Sequence, residues 1–155
     1  MTDMRRPDAE IAPGGIVVGV DGSLTSELAL RWAVEQARRT GQTVSAVAVW
    51  NFPTNYGVDY LDDRVDWAED ARTALRTAVA HVLAGAESPR VEQHVRQGHP
   101  ARVLLDAAAD ADLLVVGSRG HGGFAGMLLG SVSQHLAAHA PCPVLVVPPP
   151  EHRTS

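Results

Sequence analysis

A chain of 155 residues that is 45% apolar has single-domain length and enough core-forming material for a folded globule rather than a disordered polymer. Its formal net charge of −5 argues against electrostatic binding to nucleic acid or an anionic membrane, and no apolar run approaches the ~18 residues that span a bilayer. All thirteen basic residues are arginine, which excludes a P-loop lysine and every lysine-nucleophile mechanism.

Residues 1–13 contain Arg5 and Arg6 with no apolar stretch behind them, so they read as a tail rather than a secretory signal, and residence in the cytoplasm is expected. Ile16 to Val20 reads as a strand buried on both faces. Asp21-Gly22-Ser23 breaks it, and Ser23 is placed to cap a helix reaching about Arg39, with Leu24, Leu28, Trp32 and Ala33 as its buried stripe. Gly41 closes that helix, and Val44 to Val49 forms a second strand. Asn51 to Tyr60 is a loop of aromatic and turn residues. A long amphipathic helix follows, carrying Val65, Ala68, Leu75, Val79 and Val82 and ending at Gly85.

Val91 to Val95 is a more polar strand, interrupted by Glu92, Gln93 and His94, as expected at a sheet edge. Pro100 suits the first turn of a helix to about Ala109. The strand Leu113 to Val116, a glycine-rich loop, a helix from Ser131 to His139 and a strand Val144 to Val147 complete the order. Residues 14–148 read as one domain and 149–155 as a C-terminal tail. Strands alternating with helices predict an α/β fold, an open five-stranded parallel sheet flanked by helices. Ligands of such sheets bind beyond the C-terminal strand ends where strand order reverses. If the first and fourth strands are neighbours, Asp21 and Gly117 face one crevice.

The loop after the fourth strand carries the chemistry. Gly117-Ser118-Arg119-Gly120 is followed by nine residues and then Gly130-Ser131 at a helix start. Glycines let backbone amides approach an anion, and a helix N-terminus adds donors and partial positive charge. A connection that must merely turn is the alternative, although compact domains seldom use so long a loop without a function. Gly120-His121-Gly122-Gly123-Phe124-Ala125 also fits the dinucleotide fingerprint. It follows the wrong strand, however, and no acidic residue lies about 20 positions further on. Asp21 reads either as a turn residue or as a carboxylate accepting from ribose or adenine.

These residues resemble the nucleotide-binding branch of the universal stress protein family. The resemblance covers about residues 14–148. It rests on Val18-Gly19-Val20-Asp21-Gly22-Ser23, Val47-Ala48-Val49-Trp50, Gly98-His99-Pro100, the loop Gly117 to Ser133 with its Gly-x2-Gly-x9-Gly-Ser spacing, and Ala140-Pro141-Cys142-Pro143-Val144-Leu145-Val146-Val147. It implies the adenine nucleotide α-hydrolase-like form of the open sheet. It further implies that Asp21, beside Gly19, contacts ribose or adenine and that the Val49 backbone pairs with the adenine edge. Gly117, Gly120 and Gly122 would let the loop approach the ligand, and Gly130, Ser131, Val132 and Ser133 would hold phosphates. Arg119 would neutralise phosphate charge or remain solvated. The loop 51–60 and Phe124 would shape the pocket.

ATP, accompanied by Mg²⁺, is the expected ligand, and a homodimer through the apolar edge strand Val144–Val147 is the expected assembly. A nucleotide-dependent stress-response regulator is favoured over a slow ATPase or a binder of another adenine nucleotide such as cyclic AMP. No residue is placed to activate water, so no catalytic residue is assigned. Replacing Gly117 or Asp21 by alanine is expected to abolish ATP binding with the fold intact. His135 and His139 have zinc-compatible spacing but lack the HExxH glutamate and a third ligand, so no metal site is expected. His121 could touch a phosphate. Trp32, Trp50 and Trp67 are expected on buried or interface surfaces, and Cys142 as a buried, inert thiol.

Overall fold

The structure, a computed structural model, describes residues 10–51, 66–119 and 129–150. The expected boundary features at residues 1–9, 52–65 and 151–155, Val65 among them, lie outside these residues. The elements run β1 (Ile16–Gly19), α1 (Leu24–Thr40), β2 (Val44–Trp50), α2 (Trp67–Leu83), β3 (Val91–Gln97), α3 (Pro100–Ala107), β4 (Leu113–Gly117), α4 (Ser131–His139) and β5 (Val144–Val147). All neighbouring strands pair in parallel, in the order β3-β2-β1-β4-β5.

The central strand β1 is buried throughout because it has a strand on each side and helices on each face. Alternation of side chains divides the core in two. Val18, Ala46 and Val115 meet Leu30 and Val34 of α1 and Leu75 and Val79 of α2. Val17, Val47, Leu114 and Val116 meet Leu104 of α3 and Leu136 of α4 on the opposite face. Each fully buried leucine stabilises the fold by about 1.5–3 kcal/mol, so these short helices are held chiefly by docking rather than by propensity. The polar β3 occupies one edge, and β5, half-buried along its whole length, occupies the other.

Two expectations about the helices change. The buried face of α1 is Ala29, Leu30, Ala33, Val34 and Ala37, whereas Leu24 is 59% exposed and Trp32 39% exposed. The stripe Leu24, Leu28, Trp32 has good helical spacing, but α1 packs over β1 and β4 with small residues, which allow a close helix–sheet approach. Trp32 and Leu28 instead border an outer groove of about 500 Å³ that reaches Val147 and Pro148. At the end of α2 the left-handed cap is Ala84, at φ 50°, one residue before the expected Gly85. Gly41 does close α1, at φ 75°, with its amide donating to the Ala37 carbonyl.

Candidate functional site

The sheet order reverses between β1 and β4, whose C-terminal ends lie side by side. Gly19 is opposite Val47, and Val18 is opposite Val115. Continuing both registers past the strand ends sets Asp21 level with Val49 on one side and Ser118 on the other. Signals from three distant stretches of chain therefore meet along one line.

At the start of α1 the polar groups satisfy one another. Ser23 donates its backbone amide to Asp21 Oδ1 at 2.9 Å, and its hydroxyl donates to the same oxygen. The Ser23 hydroxyl in turn caps the Ser26 amide, while the Asp21 amide donates to Ser26 Oγ at 3.2 Å. Asp21 is thus both a turn residue and an exposed carboxylate. The bonds to Ser23 use only Oδ1. Val49 is half-buried near the end of β2. The Val47 carbonyl accepts from the Val20 amide in the last β1–β2 bond, and alternate residues of a parallel strand point their backbone groups to the same side. The Val49 N–H and C=O therefore point toward β1 beyond the end of that ladder.

The start of α4 is different. Its N-cap is Gly130, at φ −69° and ψ 165°, so no side chain caps the first-turn amides of Ser131, Val132 and Ser133. The Gly130 amide donates to the Ser118 carbonyl at 2.6 Å, tying the two ends of the glycine loop together. Ser131 is exposed, and Val132 packs its side chain against the α3/α4 core. Ser133 is buried, and its hydroxyl donates to the Gly117 carbonyl at 2.6 Å. It is thereby engaged in holding α4 to β4, and a phosphate would meet the residue's amide rather than a free hydroxyl.

The expectation that Gly117→Ala spares the fold is overturned. A Cβ on Gly117 would lie 2.8 Å from the backbone carbon of Thr25, so glycine is required here for α1 to sit against β4. Thr25, which the sequence did not single out, also donates its hydroxyl to the Arg119 carbonyl. Thr25 from one face and Ser133 from the other hold the root of the loop. Gly19 likewise has a packing reason, since a Cβ there would lie 3.0 Å from Leu104. Arg119 is half-buried. Gly120, Gly122, His121 and Phe124 lie outside the described residues.

His135 and His139 are exposed with ring centroids 4.6 Å apart, and the described residues contain no group of three metal-ligating side chains. Trp50 and Trp67 are half-buried. Cys142 is half-buried as well, and its thiol is pushed upward first by burial and then by the Asp112 carboxylate, with a backbone hydrogen bond from Leu114 opposing. No helix of the described residues is long and apolar enough to cross a membrane.

Comparison with known proteins places this arrangement among relatives. Residues 15–148 match the model of the universal stress protein family. A universal stress protein of Mycolicibacterium smegmatis is 42% identical over 138 residues, covering 86% of this chain and 45% of that protein. The chain spans about half the length of the curated relatives it matches. Among solved structures, UspA of Lactobacillus plantarum superposes with a TM-score of 0.73 at 27% identity, covering 90% of this chain and 99% of that one. A universal stress protein in complex with cAMP superposes with a TM-score of 0.65 at 31% identity, covering 88% and 97%.

Proposed function

This chain belongs to the universal stress protein family, and from that premise we propose that it binds ATP in the crevice between β1 and β4 and acts as a nucleotide-dependent regulator of the stress response. The carrying observation is the level alignment of Asp21, Val49 and Ser118 across the reversal of strand order, with the glycine cap of α4 bonded to Ser118. Asp21 Oδ2 would accept from ribose or adenine, and the Val49 backbone would pair with the adenine edge. The Ser131 hydroxyl and the amides of Gly130, Ser131, Val132 and Ser133 suit the phosphates, because an uncapped helix start offers donors and a favourable dipole. Gly117, Gly120 and Gly122 shape the loop around the ligand, and Arg119 offsets phosphate charge. Mg²⁺ would be held mainly by the phosphates themselves, as this cation prefers.

Regulation is favoured over hydrolysis because Asp21, the exposed carboxylate at the crevice, is given in this reading to the ribose or adenine contact. The domain would comprise residues 14–148 and work in the cytoplasm. A second copy would pair along β5, where the half-buried edge and the adjoining Trp32 groove offer apolar surface. A cyclic AMP ligand is the second reading, supported by the cAMP complex of the 31%-identical relative. Calorimetric titration with ATP, cAMP and adenosine, together with mass spectrometry of any co-purifying nucleotide, tests the proposal. Failure to bind any adenine nucleotide would sink it. Turnover of Mg-ATP well above ~1 per minute would point to an enzyme instead, since typical enzymes run near ~10 per second.

A further inference from the structure

Ser118 stands directly after β4, and three of its polar groups behave differently. Its amide donates to the Val147 carbonyl at 2.8 Å, and its carbonyl accepts from the Gly130 amide at 2.6 Å. Its hydroxyl is buried, in a residue only 3% exposed, and has no hydrogen-bond partner. Hydroxyls in such positions are normally satisfied, because an unpaired buried donor is worse than a methyl group of similar shape. The neighbouring Ser133 shows the normal case, with its buried hydroxyl bonded to Gly117.

Alternation along β4 says where the Ser118 side chain lies. Val115 belongs to the α1/α2 face, and a Cβ on Gly117 would strike Thr25 of α1. Leu114 and Val116 belong to the α3/α4 face. Ser118 continues the even series and therefore points toward the face that holds the glycine-capped start of α4. Two independent features thus converge: a nine-residue helix with no side-chain cap on its first turn, and a buried hydroxyl with an unused donor.

We infer that the Ser118 hydroxyl is a donor held in reserve for the phosphate-loaded state. A phosphate oxygen seated on the first turn of α4 supplies the acceptor that the hydroxyl lacks. This deepens the nucleotide reading and rests on it. The ligand class is an adenine nucleotide bearing at least one phosphate, and Ser118 distinguishes it from the bare nucleoside. Because the Ser118 amide is bonded to the end of β5, the same residue ties phosphate occupancy to the edge strand.

The test compares wild-type protein with Ser118→Ala, using calorimetry with ATP and with adenosine and thermal melts without ligand. The expected result is threefold. ATP affinity falls about tenfold, the loss of one hydrogen bond to a charged group. Adenosine affinity is unchanged. Unliganded Ser118→Ala melts roughly 3 °C higher, since an unpaired buried hydroxyl has been removed. Ser118→Cys, which keeps the size but only a weak donor, should follow alanine in ATP affinity. Unchanged ATP affinity, an equal loss for adenosine, or a lower melting point without ligand would each overturn the inference. Wild-type protein that binds neither ligand would defeat the nucleotide reading itself, and a higher melting point in Ser118→Ala would still separate that failure from an error about the hydroxyl.

Discussion

The starts of α1 and α4 both lie at the C-terminal end of the sheet, yet they are built oppositely. At α1, Ser23, Asp21 and Ser26 bond to one another, so the local donors and acceptors are largely satisfied within the chain. At α4, glycine occupies the cap and contributes no side chain. A helix start that satisfies itself gains local stability and gives up part of its capacity to bind. One left uncapped does the reverse. The difference teaches that α4 leaves its first-turn donors open, as the proposed phosphate site requires, whereas α1 presents a carboxylate on a hydrogen-bonded turn and clamps the root of the loop through Thr25.

Gly117→Ala is the severest way to break this arrangement. Forcing a Cβ against the Thr25 backbone should destabilise the protein by roughly 2–3 kcal/mol and lower Tm by about 8 °C, measured by thermal denaturation. An unchanged Tm would show that α1 does not need the close approach at β4. Next in size is Ser131→Pro, which removes one first-turn amide and the Ser131 hydroxyl where proline is tolerated and where the preceding Gly130 is already extended. Helix content by circular dichroism should hold while ATP affinity falls about tenfold. Equal affinity would move the phosphates away from α4.

Ser23→Ala should have the complementary effect. Losing the α1 cap should cost about 1 kcal/mol in urea denaturation, with phosphate affinity unchanged. A tenfold loss of ATP binding in that variant with adenosine binding unchanged would erase the distinction between the two helix starts. The smallest effect concerns Cys142, just after α4. Burial and Asp112 raise its pKa, so its thiolate fraction at neutral pH is below that of a free cysteine. Alkylation by iodoacetamide should lag a cysteine peptide near pH 8 and catch up only as pH rises further. A rate matching the peptide at pH 8 would contradict that environment.

The strands were legible because four of the five are short apolar runs, and β3 was legible as an edge because its polar residues interrupt the pattern. Ser23 as cap and Gly41 as terminator were legible because both act within a few residues of themselves. The face of α1 was not. Leu24, Leu28 and Trp32 outweigh the small residues in hydrophobicity, yet the small residues permit close docking on the sheet. In the candidate site, Asp21 and the Gly130 turn stood out from residue type and spacing, whereas Val49 entered only through the family resemblance. Ser118 was visible only as a member of the loop motif, with no role of its own, since a hydroxyl that is buried and unbonded is a property of the folded chain.

By itself the sequence determined the order of elements and the two caps of α1, because each depends on residues close along the chain. Tertiary structure decided that β1 and β4 are neighbours, that Gly117 serves the packing of α1, and that the buried Ser133 hydroxyl is bonded while that of Ser118 is not. Those outcomes depend on contacts such as Thr25 with Arg119, 94 residues apart, whose register is set by the packing of the whole sheet. Local propensity carries no information about such a register, and Ser118 and Gly130 at the two ends of the loop meet only once that register is set.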